Sequence, residues 1–159
     1  MSFGITALLA TVFIQNSFAQ DSTQHIPPQL SQLLVSYYNI KDALVAGNAD
    51  LASTSAEQYF KIANGIDYKV ISEANINALL KVGGKIPETR DIREQRELFS
   101  NLSANMLLLS KAIKFTPQPV YKVYCPMKKA FWLSSYKAIK NPYFGSAMLT
   151  CGKVVDTLQ

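Results

Sequence analysis

Apolar residues recur at helical spacing through most of the first two thirds of the chain. Leu30, Leu33, Leu34, Val35, Tyr37, Tyr38, Ile40 and Leu44 fall mainly three and four positions apart and form one broad apolar face. Gly47-Asn48 stops that helix, and Asp50 is placed to cap the next. Leu51, Ala52, Ala56, Tyr59, Phe60 and Ala63 make a second stripe that ends at Asn64-Gly65. A shorter helix is predicted from about Ser72, a capping residue, to Val82, with Ile76, Leu79 and Leu80 inward and Gly83-Gly84 as the stop. A fourth is predicted from Glu88 or Thr89 to about Phe115, with Ile92, Phe99, Leu102, Met106, Leu109 and Ile113 on its inner face. Pro117 and Pro119 end it.

The period changes after Pro119. Val120-Tyr121-Lys122-Val123-Tyr124 alternates in β-branched and aromatic residues and reads as a strand; Lys153 to Leu158 is a second. Antiparallel pairing of the two would bring Cys125 close to Cys151. Between them Phe131-Trp132-Leu133-Ser134 is apolar, and Asn141-Pro142-Tyr143-Phe144-Gly145 carries turn chemistry. The expectation is a mainly α fold: an antiparallel up-down bundle of about four helices with a small C-terminal β-hairpin.

The N-terminus reads differently. Ile5 to Ile14 is an apolar run broken only by Thr6 and Thr11, and Ser17-Phe18-Ala19 gives the small-x-small pattern of a cleavable export signal. Residues 1–19 are therefore expected to be a signal peptide. The run is well short of the ~20 apolar residues a bilayer span needs, so no membrane span is expected after cleavage. Residues 20–159 are expected to form one domain, with residues 120–159 as its Cys/Met region, in the periplasm or the equivalent extracytoplasmic space. The net charge of +5 falls entirely after the signal and is scattered, with Lys128-Lys129 the one adjacent pair. A solvated surface accounts for that pattern better than nucleic acid binding.

The candidate chemistry is sulfur. Cys125-Pro126-Met127 and Met148-Leu149-Thr150-Cys151 together offer two thiols and two thioethers. Such soft ligands select Cu(I) over harder ions. Two further readings stand beside this one. Met127 and Met148 could fill the core. Cys125 and Cys151 could form a disulfide, which would make the domain a stapled structural or protein-interaction module of the cell envelope. A loop of that size closed by a disulfide contributes about 3 kcal/mol. An enzyme is not expected. His25, the single histidine, lies in the polar leader far from the thiols and reads as a solvated residue. No C-x-x-C occurs, and Asp91, Glu94 and Glu97 lie on a charged helix face with nothing to select a catalytic pair. Phe131, Trp132, Tyr143 and Phe144 read as core residues beside the sulfurs.

Val123-Tyr124-Cys125-Pro126-Met127, Trp132-Leu133-Ser134, Ile139-Lys140-Asn141-Pro142-Tyr143-Phe144-Gly145, Met148-Leu149-Thr150-Cys151-Gly152 and, in the helical part, Tyr37 to Val45 together resemble a family of bacterial periplasmic domains of unknown function. Its members occur alone after a signal peptide or fused to adaptor subunits of copper and silver efflux pumps. The resemblance covers nearly the whole chain after the signal. It implies a helical bundle with a small β element, a role in handling Cu(I) or a similar ion as carrier, sensor or efflux accessory, and an efflux adaptor or other envelope protein as partner. Carried over by position, the ligands would be Cys125, Met127, Met148 and Cys151.

Overall fold

The computed structural model describes Met1 and residues 26–158. The expected signal at 1–19, most of the polar leader and His25 lie outside the described residues. Helix α1 spans Pro28–Ala46, α2 Ala49–Asn64, α3 Glu73–Gly83 and α4 Ile92–Leu109. Strands β1, Val120–Cys125, β2, Ala130–Ser134, and β3, Lys153–Leu158, follow. The fold is mainly α, four helices with a small C-terminal antiparallel sheet. No helix among the described residues is long and apolar enough to cross a membrane.

Local chemistry sets the helix ends. Pro28 opens α1 at a position whose N–H has no helical partner to lose. Gly47, at φ 70°, closes it in the left-handed region, and the amides of Gly47 and Asn48 return to the carbonyls of Leu44 and Ala43 at 3.2 and 3.0 Å. The cap of α2 is Asn48, whose side chain accepts from the Leu51 amide at 2.9 Å; Asp50 stands in the first turn instead, where its charge suits the helix dipole. Ser72 holds the cap position of α3 without a side-chain cap bond. Helix α4 starts later than the pattern suggests. Ile86–Glu88 forms a separate 3-10 turn, and Asp91 caps α4 by accepting from the Arg93 amide at 2.8 Å. It also ends earlier, at Leu109, because Phe115 enters the core from an irregular segment held by a bond from the Ser31 hydroxyl to the Phe115 carbonyl at 2.8 Å.

The sheet has three strands in the order β2-β1-β3, all antiparallel. The expected pair is present, with Val120 opposite Leu158 and Tyr124 opposite Lys153. Ala130–Ser134 adds a strand that the alternation did not reveal, since its inner residues Trp132, Leu133 and Ser134 are buried consecutively. A four-residue turn joins β1 to β2, with Lys129 left-handed at φ 54°. Opposite β1, the register shifts at Lys122/Val123 and leaves Val155 as the extra residue of a bulge.

Helices and sheet share one core. Tyr37 lies at its centre: fully buried, its ring stacked on Phe99 at 5.0 Å. Its hydroxyl meets Ser103 Oγ at 2.7 Å and accepts from the Leu133 amide at 3.1 Å, so one oxygen ties α1, α4 and β2 together. A second tie is polar. The Lys41 side chain is fully buried, and its ammonium reaches Tyr136 Oη at 2.6 Å and Asp42 Oδ1 at 2.8 Å, beneath the Tyr136 ring. Burial pulls the Lys41 ammonium below its ordinary pKa, while Asp42 opposes that shift.

Replacing Tyr37 with Phe would leave the buried Leu133 amide without an acceptor, and a loss of roughly 1–3 kcal/mol is expected. A urea midpoint equal to that of the wild type would refute this role for the hydroxyl. Burial also pushes the phenols of Tyr37, Tyr38 and Tyr143 well above their ordinary range. Folded tyrosines thus keep their protons where the unfolded chain, titrating near pH ~10, loses them. The stability they hold is complete below that pH and is lost as the pH rises through it. Lys41 works in the opposite sense but is one group against five, since burial raises Tyr59 and Tyr136 as well. Urea midpoints measured from about pH 8 to about pH 11 should fall together with the appearance of tyrosinate absorbance.

Candidate metal centre

The period of two in β1 points Val123 and Cys125 to the inner face, and Cys125 is completely buried. Cys151 comes from the other side of the sheet. It follows a 3-10 turn, Gly145–Met148, and its amide closes that turn on the Met148 carbonyl at 3.0 Å. The pairing of Tyr124 with Lys153 sets the end of β1 beside the start of β3. The two Sγ atoms lie 3.8 Å apart, and both cysteines are free thiols. That is hydrogen-bond contact, well outside the ~2.05 Å of a disulfide.

Asn141 holds the pair. It is fully buried, and its Nδ2 donates to Cys125 Sγ at 3.2 Å and to the Cys151 carbonyl at 2.6 Å. Its Oδ1 accepts from the Tyr143 amide at 2.8 Å, and its own amide donates to the Leu149 carbonyl at 2.8 Å. Every polar group of this side chain is committed, so both cysteine-bearing segments are fixed to one loop. Read as half of an Asn-Pro turn, Asn141 gave no sign of this role; a polar residue between two apolar sulfur motifs was the available signal. A second sulfur donor comes from the turn after β1, where the Lys128 amide reaches Cys125 Sγ at 3.4 Å. Burial raises the Cys151 thiol above its ordinary pKa, as does the neighbouring Cys125, while the Met127 amide draws it down. A thiol raised in this way is a weak nucleophile at neutral pH.

The methionines occupy the turns next to the cysteines and are not core. Met127 is 63 % exposed and Met148 37 %, with Leu149 exposed beside it. The core-filling reading of these two residues is thereby corrected: neither turn offers an enclosed site for the side chain. Lys128, adjacent to Met127, is ion-paired with Glu97 of α4, which offsets its charge near the sulfurs. Glu94 and Glu97 lie on the exposed face of α4 as expected, and Asp91, its cap, is exposed just before it. Trp132 and Tyr143 are buried as expected, and Phe131 and Phe144 are half-buried. The Trp132 and Tyr143 rings meet edge-on at 5.8 Å, and Tyr143 contacts Phe99 at 6.2 Å, which connects the floor of the sulfur site to the ring of Tyr37. Gly152 permits the close packing here, because a Cβ would lie 2.8 Å from the Trp132 ring. Among the described residues no group of three Cys, His, Asp or Glu side chains could hold a metal. Met127 and Met148 are the further sulfurs nearest to the two thiols in sequence.

Residues 33–118 match the sequence model of a family described as a protein of unknown function (DUF3347). The match runs from within α1 through α4 and stops before β1. No curated protein matches the chain, and no solved structure does.

Truncating Asn141 to Ala would free the Cys151 carbonyl and the Tyr143 amide from buried bonds and open a small void. A destabilisation of roughly 1–3 kcal/mol is expected in urea unfolding. Faster alkylation of Cys125 should accompany it, because that buried thiol loses its cover. Wild-type stability with wild-type alkylation would show that Asn141 does not organise the pair.

Proposed function

We propose, from the premise that this chain belongs to the DUF3347 family of proteins of unknown function, that it is an exported, periplasmic domain that binds Cu(I) or a similarly soft ion as cargo. The observation that carries this reading is the 3.8 Å separation of Cys125 and Cys151. Two sulfurs at that spacing, each ~2.3 Å from one ion, subtend an angle of about 110°. Linear two-coordination would need them about 4.6 Å apart. The spacing therefore suits a three- or four-coordinate ion, with one or two positions left to fill. Met127 and Met148 stand in the adjoining turns with exposed thioethers, and a thiolate-thioether set favours Cu(I) over harder ions. The donors on Cys125 Sγ, Asn141 Nδ2 and the Lys128 amide, are placed as outer-shell partners that orient this sulfur. The resemblance of the C-terminal motif to domains fused to copper and silver efflux adaptors supports a role as carrier, sensor or efflux accessory, with such an adaptor as partner.

The same spacing supports a second reading, in which Cys125 and Cys151 are oxidised to a disulfide that staples the end of β1 to the segment before β3 in an envelope interaction module. Protein taken directly from its compartment would then contain no titratable thiol.

The test is titration of the reduced domain with Cu(I) against a competing chelator. One ion per chain is expected. Cys125→Ser and Cys151→Ser should each lower affinity by more than the 10–100-fold that loss of an outer-shell partner costs, with far-UV helicity retained. Met127→Leu and Met148→Leu should weaken binding less. Wild-type affinity in both serine variants would overturn the proposal.

A further inference from the structure

We infer that the sulfur-bearing end of the sheet is a docking surface for an acidic protein that exchanges a soft ion with Cys125 and Cys151; the inference rests on the reading of that thiol pair as a Cu(I) site. Three segments meet at this end. Strand β1 ends at Cys125, opposite Ala130, the first residue of β2, and Tyr124 pairs with Lys153, the first residue of β3. The Met127 amide faces the Cys151 sulfur, and the Cys151 amide donates to the Met148 carbonyl at 3.0 Å. The half-buried Cys151 therefore lies between two methionine turns, with Met127 exposed on one side and Met148 and Leu149 on the other. Exchange needs no redox step. The ion stays Cu(I), bonds to the partner's sulfurs break as bonds to Cys125 and Cys151 form, and the thiol protons leave to water.

Charge selects the partner. Residues 110–159 carry eight lysines against the one carboxylate of Asp156, whereas residues 1–109 carry eight cationic and ten anionic side chains. A surplus of +7 thus sits on the last third of the chain, which bears the thiols, and the remainder is −2. Glu97 of α4 is taken up by Lys128 of the β1–β2 turn. Lys129 and Lys153, both exposed at this end, form no ion pair among the described residues. A free cation approaching the thiols meets like charge, and a second copy of this chain would meet its own lysines. A carboxylate-rich carrier is instead drawn in. A lipid surface fits less well, because the exposed apolar residues here are two methionines and a leucine, without the exposed Trp, Tyr or Phe of an interfacial anchor. Methionine suits an adaptable protein contact, and so small a patch suits a brief encounter better than a lasting complex.

The test follows amide shifts of the reduced, metal-free exported chain during titration with two synthetic peptides, one alternating Glu and Met and one alternating Lys and Met. No ion is present, so failure of the thiols to hold Cu(I) and failure of the docking surface are read separately. Saturable shifts centred on residues 126–129 and 148–153 are expected with the Glu peptide and not with the Lys peptide. They should weaken about tenfold or more between about 20 mM and about 200 mM salt. Lys129→Glu combined with Lys153→Glu, two exposed changes that leave folding intact, should weaken binding of the Glu peptide by about tenfold or more. Loaded with Cu(I), the Glu peptide should deliver its ion faster than the Lys peptide. Equal shifts or equal delivery from the two peptides, shifts centred instead on the lysines at 111–122, or wild-type affinity in the double variant would overturn the inference. Binding to phosphatidylglycerol vesicles with no response to the Glu peptide would overturn it too and assign the surface to lipid.

Discussion

One phenol oxygen joins the sheet to two helices. Strand β2 is an edge strand, and the Leu133 amide faces away from β1 into the core, where it would be costly without an acceptor. Tyr37 Oη supplies that acceptor and is itself fixed by Ser103 and by the stacking of its ring on Phe99. The position of β2 therefore follows from the packing of α1 on α4. Strand β1 is paired to β2, and Cys125 is the last residue of β1, so the buried thiol is placed by a chain of contacts that starts in the helical core.

A second series of contacts reaches the site from below. The rings of Tyr37, Phe99, Tyr143 and Trp132 follow one another from α1 through α4 to the loop and the sheet. Tyr143 donates from its hydroxyl to the Phe131 carbonyl, and its amide fixes the Asn141 side chain. Asn141 then holds both cysteine segments. The region matched to the family, residues 33–118, contains the first half of this series, and the sulfur residues lie beyond it. The helical body is a platform for the sheet, and the chemistry sits at the edge of that platform. Arg96 makes a further link, donating to the Leu44 carbonyl at 3.0 Å beside Gly145, whose lack of a Cβ leaves room for the guanidinium where a side chain would collide.

Much of this was legible in the chain. The 3.6-residue period and the Gly, Asn and Pro stops located four helices, because the apolar face and the end chemistry are both local. The alternation in Val120–Tyr124 and Lys153–Leu158 located β1 and β3 and placed the two cysteines side by side. Helix ends were less legible. The end of α4 was set by where Phe115 could enter the core, and its start by a 3-10 turn that no periodic pattern marks. Strand β2 escaped because an edge strand packed on a helix buries neighbouring residues, not alternate ones.

By itself, then, the sequence determined the elements, their class, and the presence of four sulfurs in two short motifs. These follow from properties of each residue and its near neighbours. Only the tertiary structure decided that Lys41 is buried against Tyr136, that Asn141 spans the thiols, that both methionines face solvent and that the Tyr38 hydroxyl lacks a partner. Each of these depends on residues separated by many positions in the chain. A side chain's polarity says what partner it needs, but which partner it meets is fixed only when distant segments pack.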